Sequence, residues 1–252
     1  MYELRFSYVE GDSILHRLEE RVKTICAFTI ILGITLLKNF YTVFSILVIS
    51  FLLMIYVKAP VSVILKRFRY PFFIASFIML IQFFTYGSSE LVTLGFLRIY
   101  EEGLSFGILL FLRIMAAVSV LNLLILVTPV NKILGSLKWF RVPKILLDIS
   151  MLMLRYIFVL SEESTRIYYA QQSRGGYTGN YRKKIENFGV LGGMVILRSL
   201  DRVTNVYKAM ISRGYNENIG YYSESNLSKR DLLLGISIVL LMIFFVTLEY
   251  TL

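Results

Sequence analysis

Cysteine and histidine are almost missing from this chain of 252 residues, which holds one of each, Cys26 and His16. A single cysteine permits no intrachain disulfide, and one His with one Cys cannot assemble a structural zinc site of the usual kind. Charge is scarce as well, at 17% of residues against roughly 25% in a soluble domain. No Gly-x-x-x-x-Gly-Lys-Ser/Thr stretch occurs, so the chain supplies no phosphate-binding loop of its own. Its long apolar runs contain no His, Asp or Glu to serve as a general base, and no Ser-His or Cys-His pairing is available. Secreted disulfide scaffolds, zinc modules and soluble globular enzymes are excluded on these grounds, and a membrane-bound hydrolase becomes a poor alternative.

What the chain does have is hydrophobicity: 56% apolar residues and a mean hydropathy of +0.66. The apolar residues gather in segments at 22–37, 40–57, 70–86, 104–127 and 232–248. Each has about the length needed to cross ~30 Å of hydrocarbon as a helix. The expected fold is therefore an all-α polytopic membrane protein with about five transmembrane helices. The opening stretch MYELRFSYVEGDSILHRLEER mixes acids and bases and lacks the layout of a cleaved signal, so the mature protein is expected to begin near Met1.

The bases set the orientation, because basic loops resist translocation. The leader carries Arg5, Arg17, Arg21 and Lys23, and the second connection carries Lys58, Lys66, Arg67 and Arg69 without an acid. The third has Arg98 beside Glu90, Glu101 and Glu102. Residues 128–231 hold sixteen bases and eight acids. A cytoplasmic N-terminus, five crossings and an outer C-terminus put every basic block on the cytoplasmic side of the cell membrane. The expected domains are a membrane part at 1–127, a cytoplasmic coupling domain at 128–231 and a last span at 232–252. The net charge of +10 suits anionic lipid headgroups rather than nucleic acid.

Within the cytoplasmic part, 145–160 is better read as an interfacial or protein-packed helix than as a sixth span. Asp148, Arg155 and Glu162 recur every seven residues and Arg166 follows, which draws one polar stripe on an apolar helix. Pro143 stands just before it as a helix start. Two halves of this part resemble each other at an offset of 39. Glu162 meets Asp201, Tyr168 meets Tyr207, Ala170 meets Ala209, and Ser173, Arg174, Gly175 meet Ser212, Arg213, Gly214. In the second copy Gly189, Gly193, Ile196, Leu200, Val203, Tyr207 and Met210 keep a four-three spacing, while Arg198, Asp201, Asn205 and Lys208 share another face. This reads as a packed helix whose early glycines admit a close neighbour. Each copy should end at a left-handed glycine with an arginine in the last turn. An Arg-Gly pair is by itself a good helix stop, but stopping does not require the same Ala-x-x-Ser-Arg-Gly frame twice. Docking to two similar partners does, and a guanidinium fork suits carboxylates.

Other residues have plainer readings. Arg113 lies inside the fourth span and is expected to serve an interfacial or structural role. His16 should make a surface hydrogen bond, and Met151, Met153 and Met210 should pack. Gly103 and Gly107 have the spacing of close helix contact, and Trp139 beside Phe140 and Arg141 looks like an interfacial anchor.

On DSILHRLEERVK, LVTP, LMLRYIFVLSEES, SRGGY and LRSLDRVTNVYKAMISRGY, nearly the whole chain resembles the transmembrane T component of energy-coupling factor transporters, a branch of the ATP-binding-cassette importers. The last stretch looks closest to the CbiQ type of the cobalt and nickel branch rather than the shared vitamin branch. The resemblance implies a non-catalytic permease subunit whose two coupling helices enter grooves on two ATP-binding-cassette ATPase subunits, which use the ATP and magnesium. This chain itself would bind no cofactor or metal. Its membrane part would hold a separate CbiM-like substrate-binding S component, with a small accessory membrane subunit as a further possible companion. The coupling residues implied are Ser173, Arg174, Gly175, Ser212, Arg213 and Gly214, supported by Arg155, Glu162, Ala170, Arg198, Asp201 and Ala209. Ser173 and Ser212 stand where the family usually has alanine, and Ile14 and Glu20 where its leader has prolines. Outside this family, a membrane-bound enzyme and a membrane-anchored structural protein are the competing classes.

Overall fold

A computed structural model of the chain describes residues 13–85, 90–94, 97–176, 179–215 and 229–251. Arg5 of the leader and Tyr177 of the first Arg-Gly motif lie outside them. The elements in order are α1 (Ile14–Arg17), α2 (Glu20–Leu36), α3 (Phe40–Tyr56), α4 (Val61–Thr85), β1 (Glu90–Leu94), β2 (Leu97–Tyr100), α5 (Glu101–Val127), α6 (Val130–Leu137), a 3-10 turn (Lys138–Phe140), α7 (Lys144–Ser173), α8 (Tyr181–Ser212) and α9 (Lys229–Thr251). The helical class is as the patterning predicts. The antiparallel pair β1 and β2, with Leu94 opposite Leu97, is not.

All five apolar segments are helical. Three helices, at Val61–Thr85, Glu102–Val127 and Lys229–Glu249, are long and apolar enough to cross a membrane alone. α2 and α3, at 17 residues each, reach about 25 Å. α4 begins nine residues before the expected start of its span, because Pro60 leads the helix in: its carbonyl accepts the amides of Val63 and Ile64. Lys66, Arg67 and Arg69 therefore ride on the first turns of α4 rather than in a loop. Pro71 lies inside the same helix, where the absent amide leaves the Arg67 carbonyl without its helical donor.

Among the described residues two compact units form, one from 137–215 and the other from 13–136 with 229–251. In the second unit α5 packs on α2, α3 and α4, and α9 packs on α2. Small residues on α5 permit this central position: a Cβ on Gly107 would lie 3.2 Å from the Met79 carbonyl oxygen, and the Ser119 and Ser50 hydroxyls meet between helices. Close helix contact is thus present at Gly107. Ile34, Leu37, Val43, Ala116 and Val120 close one core cluster, and Met54, Ile64, Phe68 and Leu126 another. Large apolar side chains such as Phe73, Phe77 and Ile81 face outward, as a lipid surroundings requires.

The turn joining α2 to α3 carries the polar exception. Leu37 is extended (φ −68, ψ 128), so no later turn of helix returns an amide to its carbonyl. Arg113 donates to that oxygen from Nε at 3.0 Å and Nη2 at 2.5 Å. The backbone amides of Lys38 and Asn39 donate to Glu249 Oε1. Arg113 thus has the structural role expected of it. Glu249, just past the apolar segment 232–248, belongs to α9 and closes this turn. At the opposite end of α2, Lys132 pairs with Glu20 at 2.7 Å and Ser136 donates to Thr24 at 3.2 Å. These contacts draw α6, the first helix of the segment 128–231, into the same unit as α2. His16 is part-buried with Nδ1 2.5 Å from Ser13 Oγ, so a Ser-His pairing does form, in the leader and outside the apolar runs, contrary to the sequence reading.

Candidate coupling ends

α7 starts behind Pro143, whose carbonyl accepts the Leu146 amide at 3.0 Å, and α8 starts behind Asn180, whose carbonyl accepts from Lys183 and Lys184. The two helices run antiparallel as a hairpin. Tyr168 lies 6.5 Å from Phe188 between ring centroids, Glu163 pairs with Arg198 and, at 3.8 Å, with Arg202, and Tyr215 reaches Asp148. By helical rise, the Arg174 and Arg213 ends stand roughly 40 Å apart along it.

Both helices end in the same way. Arg174 has φ −88 and ψ 11, and Arg213 has φ −90 and ψ 9. Gly175 and Gly214 follow at φ 75 and 76, the left-handed region where a side chain would be strained. The Gly176 amide returns to Gln171 O at 2.9 Å and the Gly175 amide to Gln172 O at 3.0 Å. Thirty-nine residues on, Tyr215 returns to Met210 O at 3.0 Å and Gly214 to Ile211 O at 2.9 Å. These are two Schellman closures in register with the sequence repeat. The preceding serines also agree: Ser173 donates to Tyr169 O at 2.9 Å and Ser212 to Lys208 O at 2.8 Å. Each hydroxyl is spent on its own helix, so serine presents the small outer surface that alanine would. Both arginines are exposed, and neither guanidinium makes a hydrogen bond or ion pair among the described residues.

The supporting residues divide. Ala170 and Ala209 are exposed one turn before their arginines and leave room for a close approach. Glu162 pairs with Arg166 on its own helix at 2.6 Å, while Arg155 is exposed. Asp201 lines a polar recess with Glu163, Arg198, Arg202 and Asn205. The polar stripe of α7 is not uniform, because Asp148 at its start is buried at 5% exposure. The interhelical acid is Glu163, which the seven-residue spacing passes over in favour of Glu162. Its phase with Tyr156, Leu160 and Ile167 was the available signal.

Two expectations about packing fail. The apolar face of α8 is not packed: no residue of that helix is buried, and Ile196, Leu200, Val203 and Tyr207 are each near 60% exposed. Cβ atoms on Gly189 and Gly193 would meet nothing within 4 Å. The periodicity marks a face that stays open in this chain. Part of it lines, with Ile149, Leu152, Met153 and Tyr156 of α7, an apolar groove of about 470 Å³, so Met153 and Met210 border open space rather than fill a core.

Residues 11–222 match the family described as CbiQ, cobalt transport protein. The chain belongs to the CbiQ family. This CbiQ-family chain is also 31% identical to the energy-coupling factor transporter transmembrane protein EcfT of Exiguobacterium sibiricum, over 94% of its length and 96% of the relative's. It is 29% identical to EcfT of Lactococcus lactis, over 94% of both chains. A putative fused cobalt transport protein CbiMQ of Methanocorpusculum labreanum shares 32% over 54% of this chain and 22% of its own. The chain is thus a membrane-integral protein of the energy-coupling factor transporter type.

Proposed function

We propose that this chain is the non-catalytic coupling subunit of an ATP-driven importer, with Arg174 and Arg213 as its contacts to two ATP-binding-cassette ATPase subunits. The observation that carries this reading is the pair of matching helix closures, each presenting an exposed guanidinium with no acid partner among the described residues. A carboxylate on each ATPase completes such a fork. ATP and magnesium belong to those partners, whose closure displaces the two ends of a helical hairpin. Packed helices transmit that displacement as a rigid body toward a separate substrate-binding S component in the membrane.

The working orientation has the leader and the hairpin in the cytoplasm and the end of α9 outside. The basic residues on α2, α4 and α6 support it. For cargo, the CbiQ family and the CbiM-fused relative favour cobalt or nickel ions with a CbiM-like S component. A second reading, a T component shared among vitamin-binding partners, is supported by the full-length likeness to the EcfT proteins. Uptake of radiolabelled cobalt against a labelled vitamin in cells carrying the complete gene set separates the two.

The docking reading is tested by Arg174→Glu with Arg213→Glu in the full assembly. ATPase copurification and uptake should be lost while membrane yield and detergent melting stay at the parental level. Parental uptake and copurification in the double variant would overturn the reading.

A further inference from the structure

The two ends are closed alike but held differently. At the first, α7 passes to α8 through a short connection, and Asn187 Nδ2 of α8 donates to the Gly176 carbonyl. That end is fastened by covalent continuity. At the second end the described residues stop at Tyr215, where the repeat breaks: Gly176 in the first copy corresponds to Tyr215 in the second. The Tyr215 hydroxyl donates to Asp148 Oδ2 at 3.1 Å, near the start of α7.

Asp148 is an unusual residue for its place. It sits in the run ILLDISML beside Leu147, is itself 5% exposed, and its Oδ1 has no hydrogen-bond partner among the described residues. An acid is costly there without a donor, and packing alone would be better served by an apolar side chain. The bond it accepts leads directly to the coupling end. From the Tyr215 ring to Arg213 there are two peptide units, and both are tied, by Tyr215 N to Met210 O and by Gly214 N to Ile211 O. Fixing the ring therefore fixes the direction of the backbone that bears the guanidinium.

We propose that Asp148 and Tyr215 form a latch that positions the Arg213 end for its ATPase, so that the two coupling ends are mechanically unequal. Both are positioning residues: they act on Arg213 and not on the partner. The proposal rests on the docking function above and assigns the second contact its own control element.

Gln172→Cys and Ile211→Cys, at equivalent exposed positions beside the two arginines, are each labelled with a benzophenone maleimide in the full assembly. Cys26 is buried. Photo-crosslinking to the ATPase subunits is then compared with and without Tyr215→Phe. The variant should lower crosslinking from position 211 about tenfold, the weight of a hydrogen bond to a carboxylate, and leave position 172 unchanged. Asp148→Ala should do the same, the double variant should be no worse than either single one, and Asp148→Asn, which keeps an acceptor oxygen, should retain most of the signal. Equal losses at both positions would mean general destabilisation and would overturn the latch, as would no loss at 211. Absence of crosslinks at both positions in the parent chain would overturn the docking reading itself, and the latch with it.

Discussion

Replacing Arg113 by methionine tests the account of the membrane unit most directly. The guanidinium gives two N–H groups to Leu37 O, at a point where the chain has left the helix and Leu37 is buried at 1% exposure. Leaving such a buried carbonyl unmet costs about 1–3 kcal/mol, and a hydrogen bond from a charged group contributes about 1.5–3 kcal/mol. Removing the charge also recovers part of its desolvation cost. The net loss should then be about 2 kcal/mol, a fall in melting temperature of about 4–8 °C for a chain of this size. Lysine, with a single donor group, should recover about half of that. Glu249 caps the adjacent amides of the same three-residue turn, so Arg113→Met with Glu249→Gln should cost less than the two separately. Fluorescence-detected size exclusion after stepwise heating in detergent measures the parent and all four variants. Melting of Arg113→Met within about 1 °C of the parent, or lysine no better than methionine, would refute the capping role.

Gly175→Ala and Gly214→Ala place a side chain at φ 75 and 76, each costing about 1 kcal/mol of helix closure. Uptake should fall in both without loss of membrane insertion, read by transport assay and membrane yield. Gly107→Leu, against the Met79 carbonyl, and Gly235→Leu, whose Cβ would lie 2.7 Å from Val22 Cγ1, should each destabilise the membrane unit by about 1–3 kcal/mol through overpacking, seen as lowered melting in detergent. Gly193→Ala should stabilise the isolated subunit by up to about 1 kcal/mol, because its Cβ meets nothing. Reduced recovery of partner subunits with Gly193→Leu would identify this face as one that a partner covers.

Apolar length made the helices of the five apolar segments readable, since it is a local property of the chain. The Arg-Gly ends were readable for a similar reason: a left-handed glycine and its preceding residues determine a closure within six positions. The failures involve partners distant in sequence. Glu249 is 211 residues from the amide of Lys38 that it caps, and Asp148 is 67 residues from Tyr215, so no spacing rule connects them. The α8 face failed differently. Its four-three period states that the face is apolar and says nothing of whether this chain or another covers it.

That uncovered face bears on what kind of object the hairpin is. Glu163 with Arg198 and Arg202 contributes little at partly exposed positions, about 0–1 kcal/mol per pair. α8, at 32 residues, buries no side chain. A two-helix hairpin with one unburied apolar face lacks the core that stabilises an independent domain, so its order must depend on what binds it. Linkage then makes assembly and stability one quantity: partners that bind only the ordered hairpin raise its stability with their concentration. Such an arrangement would suit the proposed coupling role, because a lever rigid only in the complete assembly would transmit motion there and nowhere else.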